Sequence, residues 1–147
     1  MKRFIATSLC AAMIATSLPV AGAASTVPAT PTRTKGQSVY VDTTHVYPTG
    51  YNIKDNNYFK LRDIAQILNG TIKTFDVKYD GATNSIDMLS FYDYTSVGGE
   101  LTPGDDVTRT AFSSSAFLTL DGVPIKATCY NIDGNNYFKL RDITDAL

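Results

Sequence analysis

The 147-residue sequence predicts an α+β fold: a small antiparallel β-sheet curled around one short helix, in the order β-β-β-α-β-β, present once in full and once C-terminally incomplete. Three observations predict it. The phrase YNIKDNNYFKLRDIA from Tyr51 returns as YNIDGNNYFKLRDIT from Tyr130, identical at 12 of 15 positions and offset by 79 residues. Repetition at a fixed period marks each copy as one structural module. Short runs that alternate apolar and polar residues surround the phrase, as half-buried strands do, and inside it the apolar period changes from two to that of a helix.

The elements follow in chain order. VYVD (Val39 to Asp42) and its mate LTLD (Leu118 to Asp121) alternate as strands. Tyr51 and Ile53 share one face of the next strand, as do Tyr130 and Ile132. Asp133-Gly134 between β-prone runs predicts a tight hairpin, because its turn needs positive φ, where glycine has no steric penalty. Asp55 stands in Gly134's place, and aspartate tolerates the left-handed region better than most residues. Tyr58 to Leu61 forms the outgoing strand. Leu61, Ile64, Ala65 and Leu68 then recur at i, i+3, i+4 and i+7, the stripe of a short helix. Asp63 in its first turn suits the helix dipole, and Asn69-Gly70 ends it. FDVKYD and SIDML, joined by GATN, read as a closing hairpin, which the second copy lacks.

These readings assign residues 39–90 to the first repeat and 116–147 to a truncated second one. STVPATPTRTKGQ and SVGGELTPGDDVTRT lack hydrophobic periodicity, so 24–38 and 91–115 read as flexible linkers. The 32 residues of the second repeat fall below the roughly 40 that fold unaided. It is expected to fray, or to complete itself against the first module or, by self-association, against another chain through an open strand edge. A protease is expected to cut first after about Thr110.

The N-terminus sets the expected compartment. Met1-Lys2-Arg3, an apolar stretch from Phe4 to Val20 and the small residues Ala21-Gly22-Ala23 match a secretory signal peptide over 1–23, cleaved after Ala23 or Ala24. No later stretch is long and apolar enough to span a membrane, so the mature chain is expected to be exported and secreted. Without Lys2 and Arg3 the chain carries 11 basic and 14 acidic residues. A mildly acidic surface has no electrostatic reason to seek nucleic acid. Cys129 is then the only cysteine, with no internal partner, and its place beside a strand implies burial.

Catalytic patterns are scarce. His45 is the only histidine, whereas zinc and copper sites draw on several His or Cys ligands. No nucleophile elbow accompanies it, DGATNSID lacks the spacing of a calcium loop, and no phosphate-cradling glycine loop occurs. No catalytic residue, metal or cofactor is assigned, and the chain reads as a non-enzyme. Asn56, Asn57, Tyr58, Lys60, Arg62 and Asp63 could be read as a polar site. Turn-forming Asn, alternating Tyr and Phe and exposed ion pairs explain the same letters. One surface role stays open: Tyr58, Lys60 and Arg62, with their mates Tyr137, Lys139 and Arg141, are candidate surface-binding residues.

NNYFKLRDIA, with VYVD upstream and FDVKYD, SIDML and YTSVGGEL downstream, resembles the copper amine oxidase N-terminal-like, or stalk, domain of secreted and cell-surface proteins of Gram-positive bacteria, clostridia especially. The resemblance covers residues 39–101 fully and 117–147 in part. It implies an antiparallel sheet curled around one helix and an extracellular spacer, adhesion or assembly module. The copper-binding histidines and modified tyrosine of amine oxidases belong to a separate catalytic domain that nothing here matches. The expected function is therefore a non-catalytic spacer or adhesion module with weak binding of a cell-wall polymer or an envelope protein. The alternative is an accessory domain of, or a small, extracellular hydrolase of wall glycan or peptide.

Overall fold

The computed structural model describes residues 25–147, so the expected signal peptide over 1–23 lies outside the described residues. In chain order the elements are β1 (Thr26–Pro31), the 3-10 turn η1 (Thr32–Lys35), β2 (Val39–Val41), β3 (Thr44–Val46), β4 (Gly50–Ile53), β5 (Asn56–Lys60), α1 (Leu61–Leu68), β6 (Phe75–Asp80), β7 (Ser85–Ser90), β8 (Arg109–Ser113), β9 (Phe117–Leu120), β10 (Val123–Ile125), β11 (Cys129–Ile132), β12 (Asn135–Lys139) and α2 (Leu140–Ala146).

Local chemistry accounts for most boundaries. Lys54 and Asp55, at φ 49° and 61°, make the first hairpin turn, and Asp133 and Gly134, at 48° and 79°, make the second. The helix of the first copy covers the expected stripe and buries Leu61, Ile64 and Ala65. FDVKYD and SIDMLS pair as a hairpin from Phe75 opposite Ser90 to Asp80 opposite Ser85.

The expected single sheet around one helix is overturned. The described chain is 44% strand and 15% helix, and its centre is a closed six-stranded antiparallel barrel in the order β1-β4-β5-β12-β11-β8, with two helices. Each copy contributes one hairpin and one preceding strand. β4–β5 pairs Tyr51 with Tyr58, and β11–β12 repeats that register with Tyr130 opposite Tyr137. The two hairpins join along β5 and β12, where Phe59 lies opposite its own repeat mate Phe138. β1 and β8 close the other seam with Pro28 opposite Thr110. The registers thus follow an approximate two-fold axis through both seams.

Both segments read as flexible linkers supply barrel strands. β1 lies in 24–38 and β8 in 91–115. Proline has no N–H for a ladder, but β1 pairs with β8 over Thr26 to Ala29 and with β4 only at Thr30 and Pro31. Neither Pro28 nor Pro31 therefore stands between two full ladders. Thr110, expected to open to a protease first, sits in the β1–β8 seam. Of the fates expected for the second repeat, the structure shows completion against the first module: β12 pairs with β5, and β9 runs parallel to β7 in the sheet β10-β9-β7-β6.

Strand alternation divides the core into two layers. Tyr51, Ile53, Tyr58, Tyr130, Ile132 and Tyr137 point into the barrel with Ala29 and Ala111. Phe59 and Phe138 point outward and lie under the helices with Leu61, Ile64, Ile143 and the β6–β7 side chains Phe75, Val77, Ile86 and Met88. Phe59 crowds Gly50 so closely that a Cβ there would meet its ring at 2.4 Å. The mate position holds Cys129, which is buried.

Phe138 is fully buried at the joint between the copies. Phe138→Ala is expected to cost about 3–5 kcal/mol. Both halves should be lost in one cooperative transition, checked by urea unfolding followed by circular dichroism and tyrosine fluorescence.

Candidate functional site

The polar letters of the repeated phrase are mostly consumed by the fold. Asn52 Nδ2 donates to Asn57 Oδ1 at 2.9 Å across the first hairpin, and Asn131 to Asn136 at 3.3 Å across the second. Asn56 and Asn135 donate to the turn carbonyls of Lys54 and Asp133. Tyr58 and Tyr137, expected on an outer face, are each 5% exposed. Tyr58 packs edge-on against Tyr130 and Tyr137 against Tyr51, with centroids 5.1 and 5.2 Å apart. Burial raises the pKa of both hydroxyls. Neither ring reaches a surface partner.

Asp63 is the hub of the first copy. Fully buried in the first turn of α1, it accepts the Thr49 N–H at 2.8 Å and the Leu101 N–H at 3.1 Å. Lys60 Nζ stands 3.9 Å from it and donates to the Gly99 carbonyl. Asp142 repeats only the first bond, to Thr128 N–H at 2.8 Å, and is half-buried. The loop that reaches Asp63 is tied by Glu100, which accepts the Tyr94 and Ser96 hydroxyls and the Val97 and Gly98 N–H groups. Desolvation would raise the Glu100 pKa, but those bonds outweigh it and hold the group at about 2. Tyr94 is pushed up to about 12, chiefly by burial.

Among the described residues, two surfaces stand out for a ligand. The first is a groove of about 450 Å³ between the β6–β7 hairpin and the second barrel hairpin. Lys60 and Arg62 line it, facing Ser113, Ser114 and Ser115 and the amides of Asn84, Asn131, Asn135 and Asn136. Tyr79, 53% exposed, walls it, its hydroxyl 3.4 Å from Asn84 Oδ1. Of the six candidates, the structure brings Lys60 and Arg62 together here. Lys139 is half-buried and Arg141 exposed, and neither lines this groove. Sequence reading missed Tyr79 and the serines, because only the pairing of β9 with β7 brings the hairpin over the second copy.

The second surface is an exposed aromatic stack on β2–β3. His45 lies 4.8 Å from Tyr40 and 4.3 Å from Tyr47 between ring centroids. Tyr40 is 59% and Tyr47 73% exposed. Their mates in the second copy are Thr119, Pro124 and Lys126, so the fold does not require this stack. Among the described residues no three His, Cys, Asp or Glu side chains converge as metal ligands.

No family model, curated protein or solved structure matches the chain.

Removing a buried carboxylate strands the donors it accepts. Asp63→Ala should destabilise the protein by about 3 kcal/mol and Asp142→Ala by about 1 kcal/mol, read from denaturant midpoints. For Glu100 the folded pKa lies below the ordinary 4.5. Its stabilising effect is therefore present above about pH 4.5 and fades as the pH falls towards about 2. Glu100→Gln should reduce the loss of thermal stability between pH 5 and pH 3, measured by melting both proteins in low salt.

Proposed function

We propose that the chain is an exported, non-catalytic module that spaces or displays material at the cell envelope and holds a wall polymer weakly in the groove walled by Tyr79. The observation that carries this reading is the chemistry of that groove. Amides and hydroxyls offer paired donors and acceptors, and one exposed tyrosine offers a flat apolar face with a polar tip. A saccharide chain presents the complement: a rim of hydroxyls and a C–H face. The groove is open and lacks a deep apolar pocket, which suits weak binding repeated along a polymer.

The rest of the molecule supports the same use. The phrase that could have been a reactive signature is occupied in turns, in the barrel interior and in the Asp63 hub. Resemblance of that phrase to stalk domains points in the same direction.

Purified cell-wall sacculi should retain the protein in a sedimentation assay. Tyr79→Ala with Ser115→Ala should lower retention at least fivefold, with melting curves showing an intact fold. Retention unchanged in the double variant would refute the groove. Release of soluble sugars or peptides would favour the hydrolase reading.

A further inference from the structure

β2 and β9 hold equivalent places in the two copies but have different neighbours. β9 lies between β10 and β7, and its ladder with β7 is parallel, from Ser85 opposite Phe117 to Met88 opposite Leu120. β2 has β3 on one side and, among the described residues, no strand on the other. The approximate two-fold axis therefore places one hairpin, β6–β7, in one of two equivalent seats.

Polar groups that close the filled seat recur in the open one. Phe117 N–H donates to the Asn84 carbonyl at 3.0 Å and Asp121 N–H to the Met88 carbonyl at 2.9 Å. The Asp121 carboxylate accepts the Ser90 N–H at 2.9 Å and the Ser90 hydroxyl at 2.6 Å. The mates are the Ser38 and Asp42 N–H groups and the Asp42 carboxylate. Asp42 and Asp121 themselves share a positive φ, 53° and 51°, although the turns part at the next residue, where Gly122 has φ 77° and Thr43 is not left-handed. Among the described residues no hydrogen-bond partner meets the Asp42 carboxylate. Burial follows the same division. Leu61, Ala65 and Leu118 are 3%, 0% and 2% exposed, whereas their mates Leu140 and Val39 are half-buried and Thr144 is exposed. Covering Thr144 would orphan no donor, because its hydroxyl donates to the Arg141 carbonyl.

We propose that the free edge of β2, with the open flank of α2, is a docking seat for a β-hairpin brought by a partner polypeptide. Its inner strand runs parallel to β2, carries apolar residues in the places of Ile86 and Met88, and bears a serine-like donor two residues further on for Asp42. Edge addition draws its affinity from main-chain hydrogen bonds and its specificity from alternate side chains. A second copy of this chain is a poor donor. Each chain has two seats and one hairpin, so lending that hairpin empties the seat on β9 and fills no additional one.

The test places the probe at high effective concentration. The full chain is extended after Leu147, the mate of Leu68, with a second copy of residues 69–101. Hydrogen exchange at the Ser38 and Asp42 amides is compared with that of the unextended chain. The seat predicts exchange slowed roughly tenfold or more, a higher Tm, and partial reversal of both by Asp42→Ala, which lies in an exposed turn. A synthetic peptide of residues 69–92 added to the unextended chain should protect the same two amides. Unchanged exchange at Ser38 and Asp42 in the extended chain overturns the proposal, as does protection that appears on β6 instead. Wall retention, read at Tyr79 and Ser115, is a separate outcome and does not bear on this one.

Discussion

The seam between β5 and β12, with Phe59 against Phe138, is the contact on which the rest of the molecule depends. A two-stranded hairpin is marginal in water, and each repeat offers one. Joining them back to back, then closing the other side with β1 and β8, turns two marginal hairpins into a barrel without edges. Register at the seam also decides everything perpendicular to it. With Phe59 turned outward, alternation sends Tyr58 inward, and the same holds for Phe138 and Tyr137. Four tyrosines then fill the barrel in two edge-to-face pairs. Both phenylalanines form the floor on which the helices and the β6–β7 hairpin rest.

Repetition acts as an internal control on function. Whatever occurs in both copies with the same contacts serves the fold: the cross-hairpin asparagine pairs, the turn-capping asparagines, and the carboxylate that accepts the N–H of Thr49 or Thr128. Features confined to one copy are free of that duty. The Tyr40–His45–Tyr47 stack is of this kind. Identical residues also take different roles once the surroundings differ. Asp63 receives a second donor from the Leu101 loop and is fully buried, whereas Asp142 has one donor and stays half-exposed. Asp121 clamps Ser90, whereas Asp42, its mate and also at positive φ, has no such partner among the described residues.

Much was legible in the sequence because it is written over a few residues. The turns at Lys54-Asp55 and Asp133-Gly134 follow from which side chains tolerate positive φ. Helix α1 follows from its apolar stripe and the Asn69-Gly70 stop, and the closing hairpin from FDVKYD and SIDMLS. The burial of Phe59, Leu61 and Cys129 follows from their places in those patterns. Tyr79 was readable only as one more strand residue.

Sequence alone determined the local conformations, the existence of two copies and the packing role of the repeated phrase, because steric and hydrophobic preferences over ten residues suffice for these. Tertiary structure decided which strands are neighbours. Alternation declares that a strand has two faces, but when both are buried it cannot say which one meets the partner. Tyr58 and Tyr137 were therefore placed outside when they belong inside, and the proline-containing strand Thr26–Pro31 passed for a tether. A strand with so few apolar residues is stabilised by two neighbours far away in the chain, and no local pattern records them.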